Sequence, residues 1–385
     1  MPPPSVVLPG KTIGILGGGQ LGRMTAMAAR GFGYRVQVLD PDAACPARFI
    51  ADTCITASLT DAAAAAELAK NCDVVTIEIE KVGIAAMRAA AEHAPVHPDA
   101  RVLEIIQHRA KQKEWLVARG FPVGPFRVVR NIAQLEEAAA EIAPHGTSYL
   151  KVAEGGYDGR GQAVLKSAAD AAKAWEYLGA DACVLEQTID IEQEISVLVA
   201  RRPGREVAVY PPALNHHKDR ILDWSVIPAP IPEKLAASAQ DLAQRIAKSI
   251  DNIGLLTIEM FVQKDGQLMV NELAPRPHNS YHASERACVT SQFEQAVRAV
   301  CDLPLGSVEV LRPAAIVNLL GDIWLKHPQP RFDLALATPG VRLHLYEKEI
   351  PKPGRKMGHL SAVADTAQEA LNRVTAAKAI LESGL

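Results

Sequence analysis

Residues 11–30 read KTIGILGGGQLGRMTAMAAR, and this stretch decides the fold of the first part of the chain. Residues 11–16 are a β-branched, apolar run, which is typical of a buried strand. Residues 17–22 form a tight glycine turn, and residues 23–30 have the composition of a helix. The stretch therefore predicts a strand, a glycine turn and a helix in that order.

The same alternation continues outward from this stretch. Residues 35–39 predict a second strand that ends in Asp40, residues 61–70 a helix, and residues 74–79 a third strand. Strands that alternate with helices pair side by side in parallel, with the helices covering the sheet. We therefore expect an N-terminal α/β domain over residues 1–97, built on a parallel, doubly wound sheet.

Two further segments differ from the first in pattern. Residues 98–303 mix short strands with helices, such as a helix over residues 233–250, and predict an α+β domain. Residues 304–385 contain short strand-like runs and a final Ala-rich helix, which we interpret as a small C-terminal β-rich domain. The length of 385 residues suits two or three domains with a cleft between them.

Composition excludes several classes of protein. The 41 basic and 44 acidic side chains leave a formal charge of −3, with no long basic run, which argues against a nucleic-acid-binding protein. No stretch has the ~18 consecutive apolar residues of a membrane span, and residues 1–10 lack the pattern of a signal peptide. The six cysteines include no C-x-x-C pair, so we expect reduced, mostly buried thiols in a soluble, cytoplasmic protein.

The glycine turn matches a dinucleotide-binding fingerprint. Gly17-x-Gly19-x-x-Gly22 lies between a strand and a helix, and Asp40 follows 18 residues after Gly22, where an acidic ribose partner would lie. The spacing is not that of a P-loop. A helix N-terminus binds a sugar phosphate as well as it binds NAD, so the pattern leaves three interpretations open: NAD, a sugar phosphate, or a turn kept for close packing.

A second glycine-rich loop is more specific. Residues 151–162 read KVAEGGYDGRGQ, leave one predicted strand and enter another, and place four glycines within seven residues. Such a loop can fold over a triphosphate, with Lys151 as a point charge and Arg160 as a planar fork. The alternative is a mobile surface turn.

A predicted hairpin over residues 257–272 contains Asp265-Gly266, a strong two-residue turn. With those residues as the turn, Lys264 faces Gln267, and Glu259 faces Glu272 on one side of the sheet. Two facing carboxylates repel unless a cation lies between them, and oxygen ligands suit Mg²⁺ shared with substrate phosphates. The alternative is that an Arg bonds one carboxylate, or that one of them is protonated.

Two polar loops follow. Residues 272–280 read ELAPRPHNS and bring Arg276 and His278 next to the predicted metal site. Residues 348–359 read KEIPKPGRKMGH and gather cationic side chains that suit phosphate recognition, although a solvated basic loop is an equal alternative. For His216 and His217 a structural role is at least as plausible as a ligand contact.

Read together, these motifs resemble the ATP-grasp superfamily, and within it the 5-(carboxyamino)imidazole ribonucleotide synthetase family. The resemblance covers nearly the whole chain and rests most on residues 19–24 (GQLGRM), 155–162 (GGYDGRGQ), 271–280 (NELAPRPHNS) and 353–359 (PGRKMGH). It implies an ATP-grasp fold with an N-terminal sheet domain, a central pair of lobes that clamp ATP, and a small C-terminal β domain. It also implies a homodimer. Two departures are Lys81, where the family typically has Asn, and a longer spacing between Lys348 and Arg355.

The resemblance implies roles for individual residues. Catalytic roles in holding the intermediate and orienting the amine fall to Tyr157, Asp158, Arg160 and Arg276. Magnesium is implied at Glu259 and Glu272. The backbone of the hinge, residues 186–189, is implied to bind adenine. Glu194 is implied to bind the ribose hydroxyls. The implied ATP contacts are Arg109, Lys151, Gly156, Tyr157, Asp158, Gly159, Arg160, Gly161, Gln162, Glu186, Gln187, Thr188, Ile189, Glu194, His217, Asn271 and Glu272. The implied ribonucleotide contacts are Gly19, Gln20, Leu21, Glu78, Arg276, His278, Asn279, Ser280, Lys348, Arg355 and Lys356.

The implied activity is an ATP- and bicarbonate-dependent carboxylation of aminoimidazole ribonucleotide in purine biosynthesis, through carboxyphosphate. The substrates are then small molecules, with no nucleic acid or membrane partner. The nearest alternative is the formate-dependent ligase that acts on glycinamide ribonucleotide. A biotin-dependent carboxylase lacks its Met-Lys-Met segment here, an NAD-dependent dehydrogenase explains only residues 17–40, and a non-catalytic ATP-grasp protein would not need both Glu259 and Glu272.

Overall fold

The structure of the chain is a computed structural model that describes residues 6–142, 146–155, 161–204 and 206–384. Its strands form three sheets, and helices cover the first sheet on both sides. None of the described helices is both long and apolar enough to cross a bilayer.

The first sheet is parallel, in the order β3-β2-β1-β4-β5, as the alternation of strands and helices predicts. Its strands are β1 (Thr12–Leu16), β2 (Arg35–Asp40), β3 (Thr53–Thr56), β4 (Val74–Ile77) and β5 (Val96–His97). The helices that follow them are α1 (Gln20–Gly31), α2 (Ala62–Lys70), α3 (Ile84–Ala91), α4 (Ala100–Ile106) and α5 (Arg109–Ala118). The prediction missed β3, α3 and β5.

Strand β1 is fully buried because helices cover both faces of the sheet. Ile13 and Ile15 point to one side, towards Ala26 and Val297, while Leu16 joins Leu68 on the other. Asp61 caps α2 through the N–H groups of Ala63 and Ala64. The glycine turn between β1 and α1 is therefore held on a rigid edge.

The second sheet has four antiparallel strands, in the order β6-β9-β7-β8. They are β6 (Phe126–Val129), β7 (Ser148–Val152), β8 (Gln162–Leu165) and β9 (Cys183–Gln187), and α6 (Ile132–Ile142) and α7 (Ala171–Leu178) pack on them. Lys151 pairs with Gln162 in this sheet, so the two ends of the predicted loop lie side by side.

The third sheet has nine antiparallel strands. In chain order they are β10 (Ile191–Arg201), β11 (Val207–Val209), β12 (Ala213–Lys218), β13 (Ile221–Ile227), β14 (Gly254–Gln263), β15 (Leu268–Ala274), β16 (Ala314–Leu320), β17 (Val341–Leu345) and β18 (Lys356–Val363). The order in space is β15-β14-β10-β12-β13-β16-β18-β17, with β11 beside β10. The remaining helices are α8 (Glu233–Ile250), α9 (Ser284–Ala287), α10 (Gln292–Val300), α11 (Gly321–Lys326), α12 (Phe332–Ala335) and α13 (Ala367–Ser383).

The strands predicted for residues 304–385 extend this third sheet. Ser225 of β13 pairs with Ile316 of β16, so hydrogen bonding continues across residue 304 without a break. The last helix, α13, packs on these strands through Val374 and Leu381. The division into residues 1–97, 98–303 and 304–385 stays a prediction.

Candidate active site

The glycine turn is closed by two carboxylates. Gly19 and Gly22 donate their N–H groups to Glu78, at 3.1 and 2.9 Å, and Gly18 donates to Asp40 at 2.6 Å. Burial raises the pKa of Glu78, and the two glycine N–H bonds oppose that shift. Within the described part of the chain, the N–H groups of Gln20 and Leu21 have no hydrogen-bond partner. These two amides, at the start of a 12-residue helix, suit an anion.

Asp40 has a structural role that counts against the NAD interpretation. Its carboxylate accepts hydrogen bonds from Gly18 and from Asp42, at 2.6 and 2.8 Å, and so belongs to the turn itself. A ribose partner would need a carboxylate turned towards a ligand. The expectation of a fingerprint Asp at this position is therefore wrong, because the residue stabilises the loop.

The C-terminal basic segment reaches the same turn. Lys348 donates to the side chain of Gln20 and to the carbonyl of Lys356, the second at 2.8 Å. Arg23 in α1 forms an ion pair of 2.7 Å with Glu347. Arg355 donates to the carbonyl of Ile350 at 2.8 Å. Lys348 and Lys356 thus lie beside Gln20, as the resemblance implied, despite the longer spacing between Lys348 and Arg355.

A second cluster gathers three cations around one carboxylate. Glu186, at the end of β9, lies 2.8 Å from the Nζ of Lys151, 3.5 Å from the Nζ of Lys113 and 3.4 Å from Arg109. Burial alone would raise the pKa of Glu186, but Lys113, Lys151 and Arg109 lower it to about 2. Arg109 also contacts Glu272, at 3.2 Å. The cluster carries a net positive charge, which suits a polyphosphate.

Lys113 is a site residue that the sequence analysis missed. It is 3% exposed, and burial lowers its pKa. The spacing of Lys113 could have indicated its role. Lys113 follows Arg109 by four residues and therefore lies on the same face of the helix. Glu186 was assigned to ATP contacts through the hinge, but its side chain is turned to these cations, and its backbone lies between Phe126 and Tyr149 in the sheet.

Within the predicted hinge, residues 187–189 differ in whether their N–H groups have partners. Gln187 and Thr188 donate theirs to Pro125 and Thr147, each at 3.0 Å, whereas that of Ile189 has no partner among the residues described. On the neighbouring strands, Glu194 lies 2.6 Å from the Nδ1 of His217. Burial lowers the pKa of His217, but contact with Glu194 raises it overall. The charge of Glu259 also acts on His217, which places the Glu194–His217 pair near the carboxylate hairpin.

A β-bulge separates the environments of His216 and His217, so that His217 contacts Glu194 and His216 does not. The register of β12 against β13 shifts between the two histidines. His216 stacks on Trp224, with ring centroids 5.0 Å apart. The shift decides the question that the sequence left open: His217 faces the site, and His216 is structural.

The predicted pairing of Glu259 with Glu272 is confirmed, although the turn differs from the prediction. Gln263 donates to the carbonyl of Gln267 at 2.9 Å, so the loop has three residues, with Gly266 at a positive φ. The pairing of Lys264 with Gln267 is therefore wrong. A bulge after Glu259 restores the register, which brings the two carboxylates opposite each other.

Both carboxylates have basic side chains as neighbours, Arg109 beside Glu272 and His278 beside Glu259. His278 Nε2 lies 3.2 Å from Glu259, and Asn271 donates to the same carboxylate at 3.3 Å. Burial would raise the pKa of Glu259, but the contact with His278 and the nearby basic groups lower it to about 2, so the side chain is ionised. Glu259, Glu272 and the amide oxygen of Asn271 form an all-oxygen donor set that fits Mg²⁺.

The loop after β15 joins the two parts of the site. Arg276 Nε lies 2.8 Å from Glu80, a partner that the sequence analysis did not name. Asn279 is 7% exposed, and its side-chain N and O have no partner in the described structure. Ser280 is fully buried, and its hydroxyl contacts both His278 and Ser196 at 2.8 Å. The prediction that Ser280 contacts substrate is therefore wrong: it positions His278.

The predicted loop residues Gly156, Tyr157, Asp158, Gly159 and Arg160 lie outside the described residues. Gly161, just after them, accepts a hydrogen bond from Val152 at 2.8 Å. Arg109 donates its N–H to Ala153 at 2.8 Å, which ties the start of the loop to the cation cluster. The loop therefore begins and ends at this cluster.

Family models match three consecutive parts of the chain. Residues 10–107 match the ribonucleotide synthetase preATP-grasp domain, residues 114–293 the ATP-grasp domain, and residues 314–373 the phosphoribosylaminoimidazole carboxylase C-terminal domain. An N5-carboxyaminoimidazole ribonucleotide synthase of Brucella melitensis is 42% identical over 357 residues, or 92% of this chain and 97% of the relative. The chain belongs to the N5-carboxyaminoimidazole ribonucleotide synthase family.

Solved structures of N5-carboxyaminoimidazole ribonucleotide synthases agree with the fold. One, an ADP complex, is 41% identical, has a TM-score of 0.91, and covers 98% of this chain and 99% of its own. Another, from Aspergillus clavatus in complex with ADP and 5-aminoimidazole ribonucleotide, is 31% identical, with a TM-score of 0.88 and coverage of 97% and 99%. The predicted family, the ATP-grasp fold and the class of ATP-dependent ligase are thus confirmed.

Proposed function

We propose that this protein carboxylates 5-aminoimidazole ribonucleotide to N5-carboxyaminoimidazole ribonucleotide, with bicarbonate and ATP as co-substrates and ADP and phosphate as the other products. The observation that carries the proposal is Arg276, which joins the glycine turn to the carboxylate hairpin. It contacts Glu80 beside the turn, and the charges of Glu78 and Glu272 act on it as well. One arginine therefore lies between the two predicted substrate sites.

ATP binds at the cation cluster and the hinge. Lys113, Lys151 and Arg109 provide the positive charge for its phosphates. The unpartnered N–H of Ile189 meets the adenine edge, and Glu194 accepts from the ribose hydroxyls. The glycine-rich sequence of residues 151–162 suits the phosphates of ATP, and exclusion of water there would protect a short-lived intermediate.

Magnesium belongs to the carboxylate hairpin. Glu259, Glu272 and Asn271 would hold it, and it would neutralise negative charge on the phosphates of ATP. Glu259 is suited to this role because His278 and the nearby cations keep it ionised. Ser280 in turn fixes the ring of His278, through a contact of 2.8 Å to Nδ1.

The ribonucleotide binds at the glycine turn. Its phosphate meets the amides of Gln20 and Leu21 and the cationic side chains of Lys348, Arg355 and Lys356. Its amine then points towards Arg276. Asn279 follows Pro277 by two residues. Its side-chain amide is buried and offers donor and acceptor atoms to a small polar molecule such as bicarbonate.

The carboxylation proceeds in two steps, formation of carboxyphosphate and transfer of its carboxyl group. A bicarbonate oxygen attacks the γ-phosphorus of ATP, so that ADP leaves and carboxyphosphate forms. The carboxyl group then passes to the exocyclic amine of the ribonucleotide, the amine loses a proton, and phosphate leaves. Arg276, Tyr157, Asp158 and Arg160 hold the intermediate and orient the amine, because catalysis of this kind depends on positioning and charge stabilisation.

The test is ADP release with ATP, Mg²⁺ and aminoimidazole ribonucleotide, in buffer with bicarbonate and in buffer depleted of it. We expect release that needs both bicarbonate and the ribonucleotide, with a carbamate product. A parallel reaction with formate and glycinamide ribonucleotide separates the nearest alternative, and activity with that pair alone would overturn the assignment. Homodimer formation and a cytoplasmic location also remain proposals, supported by the resemblance and by composition respectively.

A further inference from the structure

Two thiols lie in contact beside the glycine turn. The Sγ atoms of Cys45 and Cys54 are 3.8 Å apart, and both side chains are free thiols in the structure. Cys45 follows β2 and is 1% exposed. Cys54 lies on β3, the edge strand of the parallel sheet, and is partly exposed. Neither residue has a role in the reaction described above.

The two thiols differ in reactivity. The hydrogen bond between the two thiols lowers the pKa of Cys54 to about 7, and Arg48 lowers it further, whereas burial and Asp40 act in the opposite direction. The same contact raises the pKa of Cys45, with burial and Asp40 acting in the same direction. The thiolate is the nucleophile in thiol oxidation, so the exposed member of the pair is also the reactive one.

The other cysteines lack this arrangement. Burial raises the pKa of Cys72 and Cys288 to about 12 and that of Cys183 to about 11. Burial also raises the pKa of Cys301 to about 12, and its sulfur lies next to Tyr34. A reactive thiol with a second thiol in contact is therefore found, within the described residues, at Cys54.

We propose that Cys45 and Cys54 form a reversible disulfide under hydroperoxide stress, and that this bond weakens ribonucleotide binding at the glycine turn. The thiolate of Cys54 attacks one peroxide oxygen, the O–O bond breaks, and Cys54 becomes a sulfenic acid. The sulfur of Cys45 then attacks that of Cys54, and the hydroxyl leaves as water with the proton of Cys45. Two thiols and one hydrogen peroxide thus give one disulfide and two waters.

The effect on binding follows from the contacts of Cys45. Its Sγ lies against the backbone of Gly18, so closely that a Cβ on Gly18 would be 2.5 Å from it. Ala47 donates its N–H to the carbonyl of Gly18 at 2.9 Å, and the carbonyl of Pro46 accepts from Arg23 at 3.1 Å. The segment that carries Cys45 is therefore fixed to the turn and to α1.

Disulfide formation brings the two sulfurs closer together. An S–S bond is about 2 Å long, which is shorter than the observed contact of 3.8 Å. The two sulfurs must therefore approach each other by more than 1 Å, and any part of that approach made by Cys45 draws its sulfur away from Gly18. Since the proposed function places the ribonucleotide at this turn, the effect on binding rests on that function, whereas disulfide formation itself does not.

The experiment treats the reduced full-length protein with hydrogen peroxide at pH 7.5, blocks free thiols by alkylation and digests with trypsin. Cleavage after Arg35, Arg48 and Lys70 places Cys45 and Cys54 in separate peptides, residues 36–48 and 49–70, which only a disulfide can join. We expect the joined pair before any oxidation of Cys72, and its loss with a dithiol reductant. We also expect the KM for aminoimidazole ribonucleotide to rise about tenfold, equal to about 1.4 kcal/mol, with little change in the KM for ATP.

Two variants serve as controls. Cys54→Ser should keep the KM of the reduced protein after peroxide, whereas Cys72→Ser should respond as the natural chain does. Sulfinic acid at Cys54 with no joined peptide would overturn the proposal, and so would a disulfide that leaves the KM for the ribonucleotide unchanged. If the reduced protein shows no activity with aminoimidazole ribonucleotide, the proposed function is refuted instead. Disulfide formation can then still be measured from the joined peptides.

Discussion

The Nε atom of Arg276 lies 2.8 Å from the carboxylate of Glu80, across the boundary between the third sheet and the N-terminal domain. Arg276 follows β15, which carries Glu272, and Glu80 lies two residues after Glu78 of the glycine turn. This single contact connects the carboxylate hairpin with the glycine turn, where the proposed function places ATP and the ribonucleotide respectively.

Replacement of Arg276 by Ala should mainly impair use of the ribonucleotide. The change leaves Glu80 without its cation and removes a positive charge from the site where carboxyl transfer occurs. We expect kcat/KM for aminoimidazole ribonucleotide to fall by about 100-fold or more, with a KM for ATP within a few-fold of normal, in steady-state kinetics. Arg245→Ala, which breaks an exposed ion pair on α8, is the matched control. Equal losses for both substrates would show that Arg276 is merely structural.

Loss of Glu186 should destabilise the protein. Glu186→Gln leaves Lys113, Lys151 and Arg109 without their shared carboxylate, and Lys113 is almost fully buried. We expect the free energy of unfolding at pH 7 to fall by about 3–5 kcal/mol in urea titrations. Glu141→Gln, which breaks an exposed pair with Arg127, should change it by less than about 1 kcal/mol. Similar values for the two variants would contradict the cluster's role.

The contribution of Glu186 should also depend on pH. Its pKa lies at about 2 in the folded protein, below its ordinary value of 4.5, so ionisation favours folding. The stabilisation is complete above about pH 4.5 and is lost as the pH falls towards 2. The stability difference between the natural chain and Glu186→Gln should therefore be constant from pH 5 to 8 and shrink between pH 4.5 and 3. If the stability difference between the two proteins increases as the pH falls, the lowered pKa of Glu186 is contradicted.

Two glycines of α1 give a matched test of the turn. A Cβ on Gly22 would lie 2.5 Å from the carbonyl oxygen of Gly17, whereas a Cβ on Gly31 would meet nothing within 4 Å. Gly22→Ala should lower stability by about 1–3 kcal/mol and raise the KM for the ribonucleotide. Gly31→Ala should be neutral or slightly stabilising. Thermal unfolding and KM measurements on both variants check this, and tolerance of Ala at residue 22 would argue against a tightly packed turn.

Arg160 gives a test of the glycine-rich loop. Its side chain is proposed to hold charge on the intermediate, so Arg160→Ala should lower kcat by about 100-fold or more with a smaller change in ATP binding. Turnover assays together with calorimetric ATP titration separate the two effects. Equal losses in turnover and in ATP affinity would assign Arg160 to ground-state binding instead.

Much of the fold followed from patterns local in sequence. The helix predicted at residues 233–250 coincides with α8, because its apolar spacing reflects one buried face. The continuation of the central sheet into β16–β18 could not be predicted, since the pairing of β13 with β16 joins segments about 90 residues apart. The residues within a strand do not indicate which distant strand will pair with it.

Site residues could be predicted where the chemistry of a residue and its spacing in the sequence indicate the same role. They were harder to predict where a bulge or an irregular loop shifts the register of the strands. Glu259 and Glu272 were paired correctly, although a three-residue loop and a bulge replace the expected two-residue turn. Two single-residue shifts cancel there, which sequence alone does not reveal. Lys113 and Glu80 were missed because each acts through a partner far away in sequence, Glu186 and Arg276 respectively.

The most direct test of the account follows the oxygen atoms of bicarbonate. With ¹⁸O-labelled bicarbonate, attack on the γ-phosphorus of ATP transfers one labelled oxygen to the phosphate that is released. We therefore predict one ¹⁸O atom in the phosphate formed with aminoimidazole ribonucleotide, measured by mass spectrometry at early times. Phosphate free of label, together with a carboxylated product, would contradict a phosphorylated bicarbonate intermediate and with it the central claim.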